Sequence, residues 1–383
     1  MKDWRSRLGI ALGLGFAAAL AAVQSLRASR GEGPLPPHGT LVAECEGALE
    51  EIVIQYVPES AEIVGPVYRD FLRQLPATVS VGVVCPDEAA FADLRARVGP
   101  MACRLLPIPV GHAMTCWSRD RWLAFAPEPP GGPVLLLAPG EELGAEVWPA
   151  RQGDARIAAD LAAALPGRVA AHRSVLVFDG GDFAADAETV FVTPAVRERN
   201  LGRTVASVEQ LARALAAAFR RRIVLLPDAP PHHAGMFMMV AGDRTVIVGD
   251  PSLAERIMDG YSVSSPFPIA DPDFSPETQR RFDAVAATCA AAGYRVVRMP
   301  VVLARDGRTY LTGCNAIIDR REGKRIVYMP TYREADALNR ATAAVWRGLG
   351  YEVRRVDCTA VYPHGGSLHC LVNVLRRSNQ GSL

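Results

Sequence analysis

The chain has few of the residues by which proteins bind nucleic acids or structural zinc. Aromatic residues make up 7% of its 383 residues, and 42 basic side chains are balanced by 41 acidic ones, so the formal net charge is +1. Such a protein has neither a basic face for phosphates nor a stacking platform for bases. The eight cysteines include no C-x-x-C pair, so nothing indicates a zinc knuckle or a thioredoxin-type site. A hydrophobic content of 49% instead predicts a globular enzyme or binding protein.

The N-terminus differs from the rest of the chain. Three basic residues within the first seven positions precede an apolar stretch at residues 8–23. This order is typical of an export signal, and we assign residues 1–30 to it. The stretch is short for a spanning helix, which needs about 20 apolar residues, and the cleavage pattern is poor. A cleaved signal and a retained inner-membrane anchor both stay open, and residues 31–39 are predicted to be a linker.

Beyond residue 40 the chain repeats one pattern five times. Each unit of roughly 50–70 residues contains an amphipathic or alanine-rich helix, a hydrophobic strand, a polar turn and further strands. The predicted helices lie at residues 63–72, 155–165, 208–220, 276–292 and 335–349, and the predicted strands include residues 174–178 and 367–375. The strands are apolar on both sides, as expected where helices cover a sheet. A closed ring of such units leaves no exposed sheet edge, so we predict a five-unit α/β ring.

Polar residues occupy the same point in each of the five repeats. Asp120, Asp179, His233, Asn315 and Cys370 each lie in the turn of their own unit. Equivalent points of a ring converge on its axis. The sequence therefore predicts one site built from all five units.

Four motifs resemble those of a known enzyme superfamily. They are Trp117-Ser118-Arg119-Asp120, which resembles the W-x-R-D segment of agmatine deiminases; Phe178-Asp179-Gly180-Gly181-Asp182, which resembles the acidic-Gly-Gly turn of arginine deiminases; His233-Ala234-Gly235-Met236-Phe237, which resembles H-x-D-x-F; and Gly365-Gly366-Ser367-Leu368-His369-Cys370, which is similar to G-G-x-x-H-C. They occur in family order and extend over nearly the whole chain after residue 40. The sequence resembles the guanidino-modifying (pentein) superfamily, most closely agmatine, arginine and peptidylarginine deiminases.

This resemblance implies a fold and a reaction. The expected fold, over residues 40–383, is a five-bladed, pseudo-symmetric α/β propeller of ββαβ-type repeats around a central site. Cys370 would be the nucleophile that forms a covalent thiouronium at a guanidinium carbon, and His233 the general acid and base, oriented by Asp179. The reaction needs neither a metal nor another cofactor.

The resemblance also implies how the substrate is held. Asp120 would accept hydrogen bonds from the guanidinium, because a carboxylate matches its fork of donors. Trp117, Asn315 and Gly366 are further candidates for substrate contact. The expected partner is a small-molecule or peptidyl guanidine, and no nucleic acid is expected.

One position departs from the family pattern. Gly235 stands where H-x-D carries a second carboxylate, and Asp182, Asp243 and Asp250 are the candidates to replace it. On this basis a Gly235→Asp substitution is expected to tighten the binding of guanidines. Three functions stay open: a hydrolase of a guanidine C–N bond, an amidinotransferase, and a non-catalytic protein that only binds.

Overall fold

The computed structural model describes residues 39–128, 131–140, 148–259, 268–269 and 271–378. The export segment predicted at residues 1–30 and nearly all of the linker at 31–39 lie outside the described residues, so both stay predictions. No helix among the residues that the structure describes is long and apolar enough to cross a bilayer.

The described elements alternate between strands and helices. The strands are β1 Thr40–Leu41, β2 Leu49–Gln55, β3 Ser80–Cys85, β4 Arg104–Pro109, β5 Leu123–Ala126, β6 Val134–Ala138, β7 Val169–Arg173, β8 Phe183–Ala185, β9 Thr189–Val192, β10 Arg222–Leu225, β11 Met238–Gly242, β12 Thr245–Asp250, β13 Arg295–Leu303, β14 Tyr310–Thr312, β15 Ile317–Arg321, β16 Lys324–Thr331, β17 Glu352–Asp357 and β18 Val372–Arg377. The helices are α1 Ala61–Leu72, α2 Glu88–Val98, α3 Pro149–Asp154, α4 Ile157–Ala164, α5 Pro194–Asn200, α6 Val208–Phe219, α7 Ala234–Phe237, α8 Pro251–Asp259, α9 Pro276–Ala291 and α10 Asp336–Gly348.

These strands form five separate sheets of three or four strands. Their orders are β18-β2-β3-β4, β1-β5-β6-β7, β10-β9-β8, β11-β12-β13-β14 and β15-β16-β17. The first sheet joins the two ends of the described chain, because β18 pairs antiparallel with β2 and Val372 lies opposite Ile54. The predicted five-unit α/β architecture is thereby confirmed.

Local sequence explains why the helices lie on the sheets. In α6, Ser207 caps the first turn by accepting a hydrogen bond from the Gln210 N–H. Leu211, Leu215 and Phe219 recur at intervals of four residues and are all buried. Each such side chain contributes about 1.5–3 kcal/mol when it leaves water.

Two strand predictions are wrong in position. Residues 174–178 form no strand; the strand of this unit is β7, which ends at Arg173. The N–H groups here are held by side chains instead, since Ser174 Oγ accepts from Leu176 N and Asn200 Oδ1 accepts from Val177 N. The strand expected at residues 367–375 begins only at Val372, after a 3₁₀ turn at Leu368–Leu371. Cys370 therefore lies on a tight turn rather than on a strand.

Candidate active site

All four motifs reach one surface cavity. Trp117, Asp120, Asp182, His233 and Cys370 line it, and its volume is about 380 Å³. This volume is in the range of small-molecule sites. Asp179, in the same motif as Asp182, lies against His233 and approaches it to 3.5 Å. The turns of the repeats therefore converge on one cavity, as the sequence predicts.

Backbone hydrogen bonds join three of the motifs to each other. The Arg119 N–H donates to the Cys370 carbonyl at 3.2 Å, and the Gly180 N–H donates to the Asp120 carbonyl at 2.6 Å. The loop that carries Asp120 is thus tied to the turn of Cys370 on one side and to the acidic-Gly-Gly turn on the other.

Two motif glycines are explained by the aromatic rings beside them. A Cβ at Gly181 would lie 2.6 Å from the imidazole ring of His233, and a Cβ at Gly366 would lie 2.3 Å from the indole of Trp117. No side chain fits in either place without moving the ring. Gly366, predicted to contact the substrate, is buried against Trp117, whereas the neighbouring Gly365 lines the cavity.

His233 lies between two carboxylates. Its Nδ1 is 3.8 Å from Asp120 Oδ1 and its Nε2 is 3.5 Å from Asp179 Oδ2. Burial alone would lower the pKa of His233, but the Asp120 charge and the interactions with Asp179 and Cys370 raise this pKa well above its ordinary value. The imidazole is therefore cationic and has a proton to donate.

Asp179 is surrounded by arginines. Its Oδ1 is 2.7 Å from Arg151 Nη2 and 3.4 Å from Arg121 Nη1, and its Oδ2 is 2.9 Å from Arg199 Nη1. Burial opposes the charge, but the bond to His233 and the Arg199 and Arg151 guanidinium groups hold the pKa of Asp179 well below its usual range. Asp179 is a permanent anion with both oxygens occupied.

Sequence reasoning missed these arginines. Arg121 directly follows the Asp120 motif, so its position in the chain could have indicated that it lies near the site. Arg151 on α3 and Arg199 on α5 lie outside the motifs, and only tertiary packing brings them to Asp179.

Asp120 is held in a different way. It is 8% exposed, and its Oδ2 is 3.5 Å from Arg151 Nη1. Its buried Oδ1 accepts no hydrogen bond. Burial raises the pKa of Asp120 to about 7, the His233 charge lowers it in part, and the Asp179 charge raises it further. Asp120 therefore presents an unused acceptor beside His233.

Asn315 holds Cys370 from the buried side. Its Oδ1 accepts from the N–H of His369 at 2.8 Å and from that of Cys370 at 3.3 Å, and its Nδ2 lies 3.4 Å from Cys370 Sγ. Because two N–H donors fix the oxygen, the amide NH₂ is the group that donates toward the sulfur. Cys370 is 4% exposed and Asn315 only 2%. The substrate contact predicted for Asn315 stays a prediction, and the contact that the structure contains is with Cys370.

None of the three candidate carboxylates replaces the one that Gly235 lacks. Asp182 is fully buried and binds Thr193, Arg199 and the Asp179 N–H. Asp243 pairs with Arg320 and Arg325, and Asp250 with Arg298, all outside the cavity.

The space at Gly235 is taken by Asn315. A Cβ at Gly235 would lie 2.9 Å from Asn315 Nδ2. An aspartate there would require Asn315 Nδ2 to move, so the tighter guanidine binding expected of Gly235→Asp stays a prediction and would carry a steric cost.

None of the eight cysteines forms a disulfide. All eight are free and buried. Among the described residues, no group of three or more His, Cys, Asp or Glu side chains is placed to hold a metal ion. Cys370 is the cysteine that lines the cavity together with a cationic histidine.

Solved structures of deiminases have the same fold. An agmatine deiminase from C. jejuni has a TM-score of 0.62 at 14% identity, over 88% of this chain and 96% of that one. A putative arginine deiminase from Porphyromonas gingivalis has a TM-score of 0.64 at 19% identity, over 89% and 98%. An agmatine deiminase of Enterococcus faecalis has a TM-score of 0.63 at 14% identity, over 88% and 96%. No protein-family model and no curated protein sequence matches the chain. The resemblance read from the four motifs is thus confirmed at the level of the fold, and the chain has the pentein fold that these deiminases share.

Proposed function

We propose that the protein is a hydrolase that attacks the guanidinium carbon of an arginine-like or agmatine-like substrate through Cys370. The observation that carries this proposal is Asp120 Oδ1, a buried acceptor without a donor. It belongs to the same cavity as Cys370 and His233. A guanidinium bound there supplies the missing N–H donors through charge-assisted hydrogen bonds. The deiminase names of the solved structures with this fold support the same reaction class.

In the first step the Cys370 sulfur attacks the guanidinium carbon. A new S–C bond forms and the C=N electron pair moves to nitrogen, which gives a tetrahedral carbon. Cationic His233 donates its proton to the nitrogen that leaves as ammonia or an amine, and a covalent thiouronium remains. The Asn315 NH₂ faces the sulfur and stabilises its anionic form.

In the second step water attacks the thiouronium carbon. Neutral His233 takes one proton from water, the S–C bond breaks and its electron pair returns to the sulfur, and the second proton of the water is released to solvent as the ureido C=O forms. The product is a ureido compound. Asp179 keeps the imidazole in place and stabilises its cationic form in both steps.

A substrate panel with the full chain tests this function. Arginine, agmatine, methylated arginines and an arginine peptide are incubated with the wild type, with Cys370→Ala and with Cys289→Ala, and ammonia and ureido product are followed. Cys289 is a matched control, because it is a buried free cysteine on helix α9. We expect turnover in the wild type and in Cys289→Ala, and background rates in Cys370→Ala. Undiminished turnover in Cys370→Ala would contradict the proposal.

A second function has two observations in its favour. Gly235 lacks the carboxylate of the family motif, and both oxygens of Asp179 are already paired in the empty site. A protein with these features binds a guanidine without transforming it. This candidate predicts no turnover and no selective alkylation of Cys370 by iodoacetamide, while isothermal titration still detects binding of one panel compound.

A further inference from the structure

Among the charged residues that line the cavity around Cys370, cations outnumber carboxylates. Its charged residues among those described comprise two carboxylates, Asp120 and Asp182, and the arginines Arg151, Arg199 and Arg308. His233 adds a further positive charge, since its pKa is raised by its carboxylate neighbours. Arginine side chains stay charged at any physiological pH. The described lining is thus more basic than acidic, which is unexpected for a site that receives only a cation.

Arg308 is the exposed cation of this lining. It lies in the turn between β13 and β14, and Asp306 fixes that turn by accepting hydrogen bonds from Arg308 N, Thr309 N and Thr309 Oγ1 at 2.7, 2.8 and 2.7 Å. The backbone of Arg308 is therefore held in place, while its side chain extends into solvent at the cavity.

Arg199 and Arg151 lie deeper in the same cavity. Arg199 pairs with Asp179 and Asp182, both at 2.9 Å, and Arg151 bridges Asp179 and Asp120. A substrate with a second positive charge, such as agmatine, would bring that charge to a wall that already carries these guanidinium groups. A carboxylate at the same place would find arginine donors, which bind carboxylates in a fork geometry.

We propose that Arg308, supported by Arg199, binds the carboxylate of the substrate, so that the enzyme acts on guanidino acids rather than on decarboxylated guanidines. This inference rests on the proposed function, because it concerns the other end of the molecule that Cys370 attacks. It selects one class among the substrates that the proposed function leaves open.

Matched substrate pairs test the inference. Arginine is compared with argininamide, which lacks only the negative charge of the carboxylate, and 4-guanidinobutyrate with agmatine, which carries an ammonium group in place of the carboxylate. In the wild type we expect the carboxylate member to have the higher kcat/KM by about tenfold or more, as for one charge-assisted contact. In Arg308→Gln we expect the arginine-to-argininamide ratio to fall about tenfold, while argininamide itself changes by no more than about twofold.

Arg305→Gln is the matched control for Arg308→Gln. Arg305 belongs to the same turn, is exposed, and pairs with Asp271 at 2.8 Å outside the cavity. Its substitution should leave both substrate ratios unchanged. Arg308→Lys keeps the charge and should keep part of the preference.

The outcomes distinguish a failure of this inference from a failure of the proposed function. Equal or faster turnover of argininamide and agmatine would overturn the inference, and so would a ratio that Arg308→Gln leaves unchanged. It is also possible to test the inference when no guanidine is turned over but iodoacetamide alkylates Cys370 selectively. The readout is then the degree to which each compound slows the alkylation of Cys370. Equal slowing by both members of a pair overturns the inference. If no guanidine is turned over and Cys370 is not alkylated selectively, the proposed function itself is contradicted.

Discussion

Asp120 and Asp179 flank the same histidine, but they are held in different ways. Asp179 has guanidinium groups on both oxygens and a pKa far below its usual range. Asp120 keeps one buried oxygen without a donor, and burial raises its pKa to about 7. One carboxylate is fixed as an anion by the protein, and the other is left for a ligand to complete.

In the proposed reaction, this difference separates two tasks of the site. A general acid needs a permanent anion that holds its imidazolium, and Asp179 provides one. A guanidinium needs an acceptor with free capacity, and Asp120 provides it. A buried acceptor without a partner destabilises the empty protein, so its presence beside a nucleophile is typical of a binding site.

Removing the fixed anion should have the largest effect. Asp179→Asn leaves Arg151 and Arg199 beside a neutral amide in a buried site, and we expect the free energy of unfolding to fall by about 3–5 kcal/mol, with loss of turnover. Urea unfolding at pH 7 measures this fall in the free energy of unfolding.

The pH dependence has a definite sign. Because the folded pKa of Asp179 is lowered, its stabilisation is present above the unfolded pKa and lost as the pH falls through the folded one. The gap between Asp179→Asn and the wild type should therefore close in strong acid. An unchanged unfolding midpoint at pH 7 would contradict the role of Asp179.

Removing the free acceptor should affect binding instead of folding. Asp120→Asn loses a charge-assisted contact with the guanidinium, and we expect kcat/KM to fall by about 10- to 100-fold. Steady-state rates of Asp120→Asn and Asp179→Asn, measured side by side, compare the two carboxylates.

The stability of Asp120→Asn should change in the opposite direction from that of Asp179→Asn. The pKa of Asp120 is raised to about 7 in the folded protein, so between its unfolded pKa and pH 7 rising pH favours unfolding. Asn carries no such charge, so Asp120→Asn should be more stable than the wild type above pH 7, and this gain should shrink as the pH falls. A variant that is less stable at pH 8 would show that Asp120 has a structural role.

The sequence predicted the residues of this comparison but not how they are held. Asp120, Asp179, His233 and Cys370 lie in motifs at equivalent turns, so repeat symmetry alone brings them together. Arg151 and Arg199 carry no such signal, because their contacts with Asp179 depend on the packing of α3 and α5. The role of Asn315 was also hidden, since it depends on a 3₁₀ turn at Leu368–Leu371 where the apolar pattern favoured a strand.

The smallest expected effect comes from the buried side of Cys370. Asn315→Asp keeps an oxygen for the N–H groups of His369 and Cys370 but replaces the NH₂ that faces the sulfur with a second oxygen. A carboxylate there disfavours the thiolate, so we expect iodoacetamide to alkylate Cys370 about tenfold more slowly at pH 7. Peptide mapping measures the rate, and the other buried cysteines serve as internal controls. An unchanged rate would show that Asn315 only supports the turn.

The central claim is that Cys370 forms a bond to the substrate carbon, and trapping that bond tests it most directly. The full chain is mixed with its best guanidine substrate, quenched in acid during turnover, and analysed by mass spectrometry of the intact protein and of the peptide that contains residue 370. We predict an adduct with the mass of the thiouronium on Cys370, absent from Cys370→Ala. Turnover with an unmodified Cys370 at every quench time, together with retained activity in Cys370→Ala, would contradict the claim.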